Sequence, residues 1–159
     1  MSMSTIGVPL EGFGVYCRAA AAEGAVLLKN EGHMFPLKKE EMVSVFGRCQ
    51  FETYRSGTGS GGAVNVPYAV NIYDGMRESG SFTLNEELAD IYRAWLKDHP
   101  FDNGGGGWAA EPWHQKEMVI TEEIAAAAAE KSEKAIFIIG RTAGEDKDYA
   151  NEAGSYLLT

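Results

Sequence analysis

Residues 135–156 read AIFIIGRTAGEDKDYANEAGSY: a short apolar run, Ala135 to Ile139, stopped by Gly140 and followed by a loop crowded with carboxylates. A run of this length, rich in Ile and Phe and bounded by glycine, reads as a strand buried on both faces, the kind found inside a parallel sheet covered by helices. In the loop, Glu145, Asp146, Asp148 and Glu152 face only Arg141 and Lys147 as counter-charges. Loops leaving the C-terminal ends of such strands are where α/β proteins place chemistry. The chain upstream must therefore supply a helical scaffold.

It does so by alternation. Gly12 to Asn30 reads as a helix, with Val15, Ala19, Ala22 and Val26 on a narrow stripe, ended by Glu31-Gly32 and barred from resuming by Pro36. Met42 to Gly47 is a β-branched strand. A long irregular stretch, Gln50 to Pro67, precedes a helix over Tyr68 to Ser79 closed by Gly80, and a short strand follows at Phe82 to Leu84. Asn85 can cap a helix to about His99 with Leu88, Ile91, Tyr92 and Trp95 inward. The segment from Asp98 to Pro112, with four consecutive glycines, is loop. Thr121 caps a last helix to Lys131, where Glu122 and Glu123 complement the dipole and the Ala125–Ala129 run offers a flat packing face. The order α, β, loop, α, β, α, loop, α, β implies an α/β fold with a mainly parallel sheet flanked by helices. Three strands with an open edge are expected to form one incomplete domain over residues 1–159.

The net charge of −9 over 159 residues argues against nucleic acid and against anionic membrane surfaces as partners. No apolar run is long enough to span a bilayer, and the first residues lack a basic, apolar leader, so the expectation is a cytoplasmic protein. Cys17 and Cys49 lack metal-type spacing and are expected as free, buried thiols. His33, His99 and His114 are scattered, and no zinc site is expected. Asp146-x-Asp148 opens like a calcium loop, but Ala150 and Asn151 stand where a ligand and a turn glycine belong.

Gly57, Gly59 and Gly61 with Gly62 satisfy a dinucleotide-type glycine pattern, but Arg48 to Ser56 separate it from the preceding strand and Val64, Val66 and Pro67 follow it, so no nucleotide cofactor is expected. The glycines instead let backbone approach a ligand or another domain. Trp108 and Trp113 can stack on sugars or anchor the glycine-rich loop to the core. Among the carboxylates, Glu145 has acidic neighbours and Gly144 before it, the setting of a general acid with a raised pKa; a solvated charged loop is the alternative.

Three segments together resemble glycoside hydrolase family 3, the β-glucosidases and their relatives. AAAAEGAVLLKNEGHMFPL, Ala19 to Leu37, resembles the entry into that family's α/β sandwich domain. VSVFGR with the later GTGSGG resembles the strand and glycine loop that come next. AIFIIGRTAGEDKDYANEAGSYLLT resembles the strand and loop that carry the acid/base. The resemblance implies a retaining hydrolase of terminal β-D-glucosyl residues, with no cofactor and no metal. A barrel domain would supply the nucleophilic Asp and the sandwich would donate the acid/base, which falls on Glu145. Asp148 matches the Asp of the same element; where many relatives continue with Arg, this chain has Tyr149. Asp148, Arg141, Trp108, Trp113, Gly57, Gly59 and Gly61 are expected to bind substrate or shape the loops. No nucleophile segment occurs here, so the implied protein is the N-terminal part of a sandwich domain in a member with reversed domain order, lacking its barrel and inactive alone. Two other readings remain: a non-catalytic carbohydrate-binding module derived from that domain, and a structural module that self-associates through its open sheet edge.

Overall fold

A computed structural model of the chain describes residues 9–54, 66, 68–142, 145–146 and 148–158. The chain divides into two compact units, Met1–Pro36 and Leu37–Thr159. The first holds helix α1, Phe13–Gly24. It stops six residues short of the expected end because Gly24 is a poor helix former and Ala25 is already extended (φ −73°, ψ 129°). A separate tight turn at Glu31–His33 follows, closed by Asn30, whose side chain accepts from the Phe35 amide and donates to the Phe35 carbonyl, both at 2.9 Å. Cys17, expected buried, is exposed in this unit.

The second unit contains β1 (Met42–Phe46), α2 (Ile72–Ser79), β2 (Thr83–Leu84), α3 (Glu86–Asp98), α4 (Glu122–Lys131) and β3 (Lys134–Phe137). The three strands are parallel in the order β2–β1–β3, with Val43 opposite Leu84 on one side and Val45 opposite Ile136 on the other. Helix starts follow local capping chemistry. Asn71 accepts from the Asp74 amide, Asn85 from Leu88 and Thr121 from Ile124. The first of these caps starts α2 four residues later than the apolar spacing suggests.

Strand β1 is buried on both faces. Val43 and Val45 join Tyr73 of α2, Leu84 and Ala89 in one cluster. Phe46 joins Leu88 and Tyr92 of α3, Met118 and Ala128 of α4 in the other. Ser44, between them, is reconciled with burial by hydrogen bonds to Ser132 Oγ (2.6 Å) and from Asn85 Nδ2 (3.0 Å). In α3, Ala89 takes a buried place while Ile91, expected inward, is exposed; in α4 only Ala128 of the alanine run is buried.

β3 departs from the expected double burial. It alternates half-buried and exposed residues, with Phe137 and Ile139 each 69% exposed. Its inner edge pairs with β1, and among the described residues nothing pairs with its outer edge. Apolar composition speaks of two covered faces, but burial needs neighbours on both sides of the strand. Pairing ends at Phe46–Phe137, with one further bond from the Ile138 amide to the Phe46 carbonyl (2.9 Å), because the chain turns away from β1 at Gly47. Among the described residues no helix is long and apolar enough to cross a membrane.

Candidate active-site loops at the carboxyl edge of the sheet

The order β2–β1–β3 places a topological switch point between the C-terminal ends of β1 and β3, the position where open α/β sheets bind ligands. Both strands leave the sheet there at glycines that no other residue could replace without displacement. Gly47 has φ 98°, and a Cβ on it would lie 2.2 Å from the Ile138 carbonyl oxygen. A Cβ on Gly140 would lie 2.0 Å from Cys49 Sγ. Burial pushes the Cys49 thiol up to about 11, so it is protonated at neutral pH and packs rather than reacts. Beside these ends lies a cavity of about 260 Å³, lined mainly by Phe46, Met118, Ile120, Phe137 and Leu158, with His114 and Glu117 among its polar groups.

The chain leaving β3 is tied down at several points before and after its carboxylates. The Thr142 amide donates to the Trp113 carbonyl (2.9 Å), and the Tyr149 hydroxyl donates back to the Thr142 carbonyl (3.1 Å). Arg141 Nη1 donates to the Ser155 carbonyl. Ser155, fully buried, accepts the Ala150 amide on its Oγ (2.8 Å). Tyr149 stacks between Trp113 (4.8 Å between centroids) and Tyr156 (5.3 Å). Glu145, Asp146 and Asp148 are exposed on this framed loop, and Asp146 takes the left-handed conformation (φ 55°).

A second loop packs alongside it. Residues 99–117 leave α3 and return to the sheet edge, with the neck closed by two buried polar side chains. Gln115 accepts the Asp102 amide (2.7 Å) and donates to the Asp102 carbonyl (2.8 Å). Arg48, 1% exposed, donates to the carbonyls of Lys116 and His99 (both 2.8 Å) and to Glu52, with its guanidinium 5.3 Å from the Trp95 ring centroid. The Arg48 amide also donates to Glu117 (2.9 Å). From the far end of this loop, Trp108 Nε1 donates to Asp146 Oδ2 (2.8 Å).

Of the residues singled out in the sequence, Glu145, Asp148, Arg141, Trp108 and Trp113 therefore gather at one edge of the sheet. Arg141 gives an N–H to the Ser155 carbonyl, and Trp113 touches the acidic loop through its carbonyl and through its ring stacked on Tyr149. Trp108 keeps an exposed ring while its N–H holds the acidic loop. Gly57, Gly59 and Gly61 lie outside the described residues. Arg48, Gln115, Ser155 and Thr142 were not singled out. The only local signal for Arg48 was a cation directly after an apolar strand, where the chain is still inside the protein.

A family model described as the glycosyl hydrolase family 3 C-terminal domain matches residues 25–155. The chain belongs to glycosyl hydrolase family 3, as part of that α/β domain. It is 51% identical over 138 residues to a β-glucosidase from Ruminococcus albus, covering 87% of this chain and 14% of that protein. It is 36% identical over 129 residues to β-glucosidase A from Butyrivibrio fibrisolvens, covering 81% of this chain and 15% of that one. Among solved structures, the β-glucosidase from Paenibacillus barengoltzii matches with a TM-score of 0.95 and 66% identity over 98% of this chain and 17% of that chain. β-Glucosidase 3B from Thermotoga neapolitana, solved with α-D-glucose, matches at 0.79 and 31% over 92% and 20%. The chain thus spans about one-seventh of the length of the curated relatives it matches.

Proposed function

We propose that this chain supplies the acid/base half of the active site of a retaining β-glucosidase, with Glu145 as the catalytic residue. The observation that carries this reading is an exposed Glu145 on a loop framed at the carboxyl end of β3, beside the switch point of the sheet. Its support is the similarity to β-glucosidases across nearly the whole chain. The nucleophilic carboxylate then comes from a barrel domain outside these 159 residues. Retaining hydrolysis places the two carboxyls about 5–5.5 Å apart.

In the first step Glu145, protonated, gives its proton to the glycosidic oxygen as the C–O bond breaks and the nucleophile bonds the anomeric carbon. In the second, the Glu145 carboxylate takes a proton from the water that displaces the nucleophile, and the residue returns to its acid form. Glu145→Ala in the intact enzyme is expected to lower turnover of an unactivated β-glucoside by about 10²–10⁴-fold. Azide should restore turnover on an activated aryl glucoside, with β-glucosyl azide as product. Unchanged turnover would remove Glu145 from the reaction.

The same reading predicts that the 159-residue chain, purified by itself, leaves an aryl β-glucoside intact, because one carboxyl cannot carry out both halves of the displacement. Release of nitrophenol above the buffer rate, copurifying with the chain, would contradict it.

A further inference from the structure

We propose that Trp108 is a positioning residue for Glu145 and acts through Asp146; the proposal rests on the acid/base role given to Glu145 above. Trp108 is 62% exposed, so burial of its ring does little to hold it. Its indole N–H, however, donates to a carboxylate 38 residues further along the chain. That carboxylate belongs to Asp146, the residue directly after Glu145 and one of the few non-glycine residues with positive φ. The direction in which Glu145 leaves the backbone depends on that turn, and the bond from Trp108 holds the turn in place.

The other end of the link is also built. Four glycines precede Trp108, yet the turn is knit by Asp102 Oδ1 accepting the Gly104 amide (2.8 Å) and by Asn103 Oδ1 accepting the Gly105 amide (3.0 Å). Gly104 lies so close to Ala110 that an added Cβ would meet the Ala110 carbonyl oxygen at 1.9 Å. Below this turn the neck is closed by Gln115 on Asp102 and by Arg48 on His99 and Lys116. The indole is therefore carried on a supported loop, and its position reports the sheet edge to the acidic loop.

General-acid assistance matters in proportion to how poorly the leaving group departs, so misplacing the acid has a signature that weaker sugar binding lacks. The test compares kcat/KM for phenyl and dinitrophenyl β-glucosides in the intact enzyme carrying this chain. Trp108→Phe keeps an aromatic face and removes the N–H. It is expected to lower kcat/KM for the phenyl glucoside about tenfold or more, and to change that for the dinitrophenyl glucoside less than about twofold. Asp146→Gly, which accepts the left-handed turn but has no acceptor, should give the same pattern. Asp146→Asn, which keeps both, should stay within about threefold of the parent.

Glu145→Gln is the reference, expected to show the same leaving-group dependence in stronger form. If it does and Trp108→Phe or Asp146→Gly does not, the positioning role is wrong while the acid/base role stands. If Glu145→Gln lacks the dependence, the acid/base role itself fails. Equal losses on both substrates for Trp108→Phe would make Trp108 a sugar-binding ring and overturn the proposal. Both exposed Asp146 variants repeat the test should the tryptophan variant fold poorly.

Discussion

Arg48→Met is expected to lower the unfolding free energy of this chain by about 2–4 kcal/mol, the cost of losing the several charge-assisted hydrogen bonds of a buried guanidinium. The guanidinium is nearly inaccessible and serves the carbonyls of His99 and Lys116 as well as the Glu52 carboxylate. Methionine fills a similar space but donates nothing, so the His99 and Lys116 carbonyls lose this partner. Glu52, a quarter of whose side chain is exposed, can still reach water. Glu52→Gln keeps an acceptor but leaves the buried guanidinium without its carboxylate, so it should also destabilise, by about 1.5–3 kcal/mol. Urea unfolding followed by circular dichroism would give both values, with the transition midpoint moving and its slope unchanged. A loss below about 1 kcal/mol for Arg48→Met would mean that this network adds no more than a surface ion pair does.

Gly47→Ala carries a loss of comparable size for a different reason. At φ 98°, ψ 130° an L side chain is strained, at about 1–3 kcal/mol. The added methyl also meets the Ile138 backbone, which cannot retreat without opening the last β1–β3 hydrogen bond. Overpacking of this kind costs a further 1–3 kcal/mol, roughly. Gly80→Ala is the control: its φ is 60°, but the space around it is open, so only the left-handed term of about 1–2 kcal/mol applies. Equal midpoints for the two variants would show that the β1–β3 junction yields, and would refute the clash.

How much of this was legible depends on how local the cause is. The caps at Asn85 and Thr121 were readable because a side chain satisfies an amide three residues on, whatever surrounds it. The alternation of strands and helices was readable for the same reason, and with it the parallel sheet. The burial of β3 was not, because Phe137 and Ile139 are apolar whether or not a neighbour covers them. Arg48 and Gln115 escaped notice because their partners, His99, Lys116 and Asp102, come from another part of the chain. At the site, residue chemistry alone left the acidic loop as either a general acid or a solvated patch. Family resemblance singled out Glu145. What neither composition nor spacing could supply was the link from Trp108 to Asp146, which joins two loops far apart in sequence.

The position of β1 in the middle of the sheet also sets an order of events during synthesis. The Glu41–Lys134 ion pair beside the β1–β3 ladder joins residues 93 apart, and the Ser44–Ser132 bond joins residues 88 apart. A ribosome adding about 5–20 residues per second leaves β1 waiting roughly 5–20 seconds for its second neighbour. For the first part of that interval the strand has neither neighbour, and once β2 is made its other edge is still an unpaired ladder, with Phe46 lacking the stacked ring of Phe137 that it meets at 4.9 Å in the finished fold. The nascent chain therefore carries an apolar strand with an unpaired edge well before the acidic loop has been translated.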